Sequence, residues 1–282
     1  LSITGISKLE VENSFINYFN KNTEIYKGMK LIDEKLGGTT PLEVILKFPD
    51  KKEEKLDEDD EFEDWGDEEK NDDKYWFTKD KIETISQIHN YLDNLPETGK
   101  VLSFSSIVDV ATQLNNNKPL GTLEMGVLYT KIPENIKTEI IDPYISIKDN
   151  EARISLRIID SQKDLKRNEL IKKINYDLQN EFELNDDRYK LAGVMILFNN
   201  LLQSLFKSQI LTLGLVMLGI FGMFLILFKN IKLSLIGVVP NFIAAFFILG
   251  IIGMLEIPLD MMTITIAAIT IGIAVDNSIH YI

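Results

Sequence analysis

The chain has 282 residues, no cysteine, two histidines and a formal net charge of −13. From Lys207 onward three basic and three acidic residues cancel, so the whole excess of negative charge sits in residues 1–206. Such a region repels nucleic acid, whose affinity comes from Lys and Arg neutralising phosphates. The missing cysteines exclude disulfides, thiolate metal sites and Cys nucleophiles, and His89 and His280 leave little for a histidine metal site or hydrolase triad.

In chain order, residues 1–20 lack the basic start and apolar core of a signal peptide. Pro41 to Phe48 alternates apolar and polar residues, as a strand does. Residues 50–73 hold 15 acidic and 4 basic residues, without a calcium-loop pattern, and read as a solvated acidic insertion. Thr78 to Leu95 places Ile82, Ile85, Ile88 and Leu92 at helical spacing, and Pro96 closes it. Val101 to Ser105 is expected to be a strand, and Ile107 to Leu114 a short helix. Ile140 to Ile147 and Ala152 to Ile159 read as two strands around a hairpin turn at Lys148-Asp149-Asn150-Glu151. Leu165 to Phe182 is a helix with Leu170, Ile171, Ile174 and Leu178 inward. Together these elements predict an α+β domain over residues 1–192. No Gly-rich phosphate loop, nucleophile elbow or metal-ligand cluster occurs, so no enzymatic activity and no cofactor are expected.

Residues 193–208 carry a polar stripe (Asn199, Asn200, Gln203, Ser204, Lys207) on an otherwise apolar helix, the pattern of an amphipathic connector at a membrane boundary. Three stretches follow, about 209–228, 233–255 and 261–282. Each has the roughly 20 apolar residues that a helix needs to cross a hydrocarbon core of roughly 30 Å. Soluble helices rarely stay apolar on every face at this length. The loop Lys229-Asn230-Ile231-Lys232 is basic and should face the cytoplasm, whereas Glu256 to Asp260 has no Lys or Arg. Residues 1–206 then lie outside, with the chain multi-pass in the cytoplasmic membrane. Gly214, Gly219, Gly222, Gly250, Gly253 and Gly272 permit close helix approach, and Pro240 should kink the second span.

The most informative stretch is Gly272-Ile273-Ala274-Val275-Asp276-Asn277-Ser278-Ile279-His280. A carboxylate inside a membrane helix costs about 2.5–3.5 kcal/mol on insertion scales, so it faces a bundle interior and has a task. Asp276 is about 24 Å along the helix from Asp260 at 1.5 Å per residue, deep in the span. Asn277 adds a polar side chain next to it, and His280 lies one turn on, on the same face. Desolvation and a nearby cation pull a carboxylate's proton affinity in opposite senses, and a group balanced between them exchanges protons. Asp276 is therefore the candidate proton relay, with Asn277 and His280 as relay neighbours. A structural anchor is the alternative.

The Leu191-Ala192-Gly193 and Asn199-Asn200-Leu201-Leu202-Gln203-Ser204-Leu205 segments resemble the connector of the resistance-nodulation-division (RND) superfamily, in its MMPL-like "predicted exporter" branch. So do Pro240-Asn241, Gly250-Ile251-Ile252-Gly253, Ile257-Pro258-Leu259-Asp260 and Gly272-Ile273-Ala274-Val275-Asp276, which are similar to its third and fourth helices. Weaker likeness lies at Phe15 to Phe19 and Leu36-Gly37-Gly38. The resemblance implies porter-like β-α-β subdomains outside the membrane and a relay carboxylate at Asp276, where many relatives carry a second Asp in place of Asn277. It further implies a proton gradient as energy source, a hydrophobic or lipid-like substrate, membrane lipid and the remaining transmembrane helices as partners, and a homo-oligomer. A sterol-sensing type of sensor or scaffold, and a SecDF-like export component, are the competing functions.

Overall fold

The computed structural model describes residues 16, 19–49, 76–118, 121–162, 165–255, 265–266, 269–270 and 272–273. They fall in two compact units, Phe19–Ile196 and one holding Leu197–Ile282. The acidic insertion, the loop Glu256 to Asp260, most of the expected third span and the Asp276 motif lie outside the described residues. Residues 265–266, 269–270 and 272–273 are helical.

The first unit is a mixed α+β domain with an antiparallel sheet. In chain order it contains α1 (Glu24–Lys35), β1 (Thr40–Lys47), α2 (Lys79–Asp93), β2 (Thr98–Leu102), α3 (Phe104–Leu114), α4 (Thr122–Lys131), β3 (Ile145–Ser146), β4 (Glu151–Ile158), α5 (Arg167–Asn180) and β5 (Tyr189–Ala192). The strand order is β2-β4-β1-β5, with β3 paired to β4, and every pairing is antiparallel. Strands β1 and β2 thus run parallel to each other with β4 between them, and β4 and β5 straddle β1 in the same way. Two split β-α-β units interleave, which is the ferredoxin-like topology.

Alternation explains the core. Leu42, Val44 and Leu46 of β1 and Ala152, Ile154, Leu156 and Ile158 of β4 are all buried on one face of the sheet. Ile85, Ile88 and Leu92 of α2 and Leu170, Ile174 and Leu178 of α5 form helical stripes in the same apolar cluster. The register from Thr40↔Ile158 to Lys47↔Glu151 runs unbroken, so the two central strands share their full length.

Three expected elements come out differently. Ser103 is the N-cap of α3, its hydroxyl accepting from the Ser105 N–H at 3.1 Å, so β2 stops at Leu102 and the helix begins at Phe104. The expected strand at Ile140 to Ile147 shrinks to Ile145–Ser146. Its first two residues, Ile140 and Ile141, end a π-helical turn, Lys137–Ile141, in which the Asp142 N–H bonds the Lys137 carbonyl. Pro143 follows with no N–H to offer a ladder. Helices α1 and α4 and the short strand β5 complete the unit beyond the expected elements.

Two glycines are required by close approach. A Cβ on Gly99 would sit 2.3 Å from the Gly37 carbonyl carbon, so β2 and the α1–β1 turn meet backbone to backbone. Gly99→Ala is therefore expected to cost about 1–3 kcal/mol through overpacking, measured by denaturant titration of Trp76 fluorescence. Gly193, at φ +104, turns the chain from β5 into the next helix, and a Cβ there would lie 2.9 Å from the Pro41 carbonyl oxygen.

Candidate functional site

Beyond Gly193 the chain forms α6 (Val194–Phe228) and α7 (Ile231–Met254), both long and apolar enough to cross a membrane. The residues of the expected connector and of the first span lie on one continuous helix of 35 residues. No proline occurs between 194 and 228, so nothing removes an i→i−4 hydrogen bond. At 1.5 Å per residue α6 is about 52 Å long, more than an upright helix needs to cross a hydrocarbon core of roughly 30 Å.

The turn between α6 and α7 is two residues long. Lys229 takes φ +49, and Asn230 caps α7 by accepting from the Lys232 N–H at 3.0 Å, while the Ser234 hydroxyl donates to the Asn230 carbonyl at 2.9 Å. Along α7, Ser234, Gly237, Val238, Asn241, Ala245 and Ile252 are buried, a stripe at heptad-like spacing that includes two fully buried polar side chains. Ala245 packs with Met217 and Ile220 of α6. Pro240 has no N–H for the Ile236 carbonyl, and one turn below the next residue the Asn241 side-chain amide donates to the Gly237 carbonyl at 3.2 Å. An amide beside a proline break is the kind of partner that keeps loosened backbone satisfied in an apolar medium. Asp276, Asn277 and His280 lie outside the described residues, so their standing rests on the sequence motif.

Among its described residues the sheet domain holds buried polar clusters that are not legible in its sequence. The carboxylate of Asp33, at the end of α1, accepts from the Thr39 hydroxyl (2.7 Å) and from the N–H groups of Asp160 (2.9 Å) and Ser161 (2.7 Å). Burial alone would raise its pKa, but hydrogen bonds from Ser161, Thr39 and Asp160 outweigh that and hold it below the ordinary value. Beside it, Arg167 and Asp160 form an ion pair with side chains only 5% and 1% exposed. Tyr91 donates to Asp177 in a short hydrogen bond joining α2 to α5, and burial followed by that bond pushes the phenol's pKa strongly upward.

His89 Nδ1 lies 2.9 Å from the Ser103 hydroxyl, the only such histidine–serine contact among the described residues. Ser103 is fully buried and already caps α3, which leaves it neither access nor freedom as a nucleophile. Burial lowers the His89 pKa, partly offset by Asp93 and Asp109. The folded state therefore resists protonating His89, and stability should decline as pH falls below about 6.5, the unfolded value. A His89→Asn chain should show a flatter decline between about pH 7 and 5, read from Trp76 fluorescence in denaturant.

Among the described residues no three His, Cys, Asp or Glu side chains are grouped to hold a metal. An apolar recess lies between α3, α4 and the π-helical turn, lined by Phe77, Phe104, Ile107, Met125, Tyr129 and Ile141. Its cavity volume is about 20 Å³, room for little more than a water molecule.

No family model matches the chain. It is 25% identical over 204 residues to MJ1562 of Methanocaldococcus jannaschii, whose name gives a membrane location and no activity. The match covers 70% of this chain and 50% of that protein, so the chain spans about half the length of the curated relative it matches. With two long apolar helices and this relative, the chain is a membrane protein.

Proposed function

We propose that the chain is part of a proton-driven exporter of the RND superfamily, MMPL-like branch, acting on a hydrophobic or lipid-like substrate in the cytoplasmic membrane. The observation that carries this reading is an order of parts: a double split β-α-β domain, a glycine turn, two long apolar helices, then an apolar stretch bearing Asp276. The sheet domain captures and passes substrate outside, the basic Lys229–Lys232 turn marks the cytoplasmic side, and Asp276 takes up and releases the proton that supplies the energy. Asn277 and His280 flank the relay. The remaining helices of a longer protein, and a second copy, complete the bundle.

The test is Asp276→Asn in the longer protein, assayed for proton-linked efflux. Loss of at least about tenfold in transport with unchanged membrane abundance is expected, because the amide keeps the size but cannot carry the proton. Undiminished efflux would leave the sensor or scaffold reading in its place.

A further inference from the structure

The helices α2 and α5 pack on one face of the sheet, and among the described residues the side chains of the other face are exposed or half-buried. On it, alternation places Lys47, Lys100, Arg153, Arg157 and Lys190 against only two carboxylates, Glu43 and Glu151. All five cations are exposed, and among the described residues Arg153 is the one with an ion pair, to Glu43. This excess stands out because residues 1–206, apart from 50–73, are nearly neutral, with 23 basic and 25 acidic residues. Residues 50–73 carry a net −11.

The two flanks of that acidic segment are tied to one side chain. Asn150 Nδ2 donates to the carbonyls of Phe48 (3.1 Å) and Pro49 (2.7 Å), where the chain leaves β1. Its Oδ1 accepts from Trp76 Nε1 and Lys81 Nζ, each at 2.9 Å, where the chain re-enters the core. The stem therefore stands at the end of the sheet where Lys47 pairs with Glu151. Residues 50–75 leave and return at this stem, so the middle of the segment is about 13 residues from either end, a reach of roughly 18–21 Å by random-coil scaling. Four strands at about 4.8 Å spacing are narrower than that. Tethering confers an effective concentration on the order of millimolar.

We propose that the cationic face of the sheet is the docking surface for the chain's own acidic segment, residues 50–73. The charges are opposite, the tether begins at the edge of the face, and it is long enough to cross it.

Zero-length carbodiimide cross-linking of the full chain in neutral detergent, read by mass spectrometry, tests this. Carboxylates of 50–73 should couple to Lys47, Lys100 and Lys190 at least about fivefold more than to Lys172 and Lys173, exposed on the opposite, helical side. The preference should vanish near 1 M salt, where the Debye length is about 3 Å. Equal coupling to both sets would overturn the proposal and leave a merely solvated segment. In a second arm, a chain with 50–73 replaced by a Gly-Ser linker should bind a synthetic 50–73 peptide. The K47E/K100E/R157E/K190E version of that chain should not. If these variants fail to fold, the cross-linking of the unaltered chain still decides. Equal binding of anionic phosphatidylglycerol vesicles with and without the segment would also overturn it, by making lipid headgroups the occupant.

Discussion

Arg167→Ala is expected to destabilise the sheet domain by about 3–5 kcal/mol, the largest loss any single side chain here should produce. Arg167 and Asp160 are both buried, and the Asp33 carboxylate lies close by, bonded to the Asp160 N–H. The guanidinium is thus paired with a carboxylate that is itself almost fully out of water. Removing it takes a cation from a buried carboxylate, and the cost is dominated by that charge's lost compensation rather than by lost packing. A double variant, Arg167→Met with Asp160→Leu, should recover much of the loss, because an apolar pair of similar volume strands nothing. Denaturant titration read from Trp76 fluorescence in a Trp65→Phe background measures both. A single variant within about 1 kcal/mol of the parent would mean that water reaches Asp160.

Asn150→Ala is expected to cost about 2–4 kcal/mol, from the sum of several hydrogen bonds and a backbone term. Asn150 takes φ +54, which asparagine tolerates better than alanine. Its amide also binds four partners at the flanks of the acidic segment. Without it the Trp76 indole N–H, part of an edge-on aromatic contact with Phe48 at 5.9 Å, loses its acceptor. The Lys81 ammonium, 5.0 Å from the Trp76 ring centre, loses a ligand as well. Asn150→Asp tests the partition: it keeps the acceptor for Trp76 and Lys81 but has no N–H for the Phe48 and Pro49 carbonyls. It should fall between parent and alanine. Local proteolysis near Pro49, compared among the three chains, reports whether the stem has opened.

Much of the architecture is written in short-range pattern. Alternation at Pro41 to Phe48 and Ala152 to Ile159 marks β1 and β4, because a half-buried strand must place every second residue in the core. The spacing of Ile85, Ile88 and Leu92 marks α2, and that of Leu170, Ile174 and Leu178 marks α5. Elements governed by local chemistry beyond hydrophobicity are read less well. The serines at 103 and 105 look like strand residues until the hydroxyl of Ser103 is seen to cap a helix. Asn150 reads as an ordinary turn residue until its partners at Phe48, Pro49, Trp76 and Lys81 come into view.

The sequence by itself determines that this protein has a charged domain and long apolar helices, because water and hydrocarbon sort residues by composition alone. It also singles out Asp276, because a carboxyl group in an apolar stretch is conspicuous without any knowledge of its neighbours. Only the tertiary structure decides the strand order, in which Lys47 meets Glu151 across more than a hundred residues of chain. It likewise decides the burial of Asp33, Asp160 and Arg167, which in the sequence look like surface charges. The reason is physical: burying a charge is tolerable only beside particular partners, and those partners are brought together by the sheet rather than by proximity along the chain.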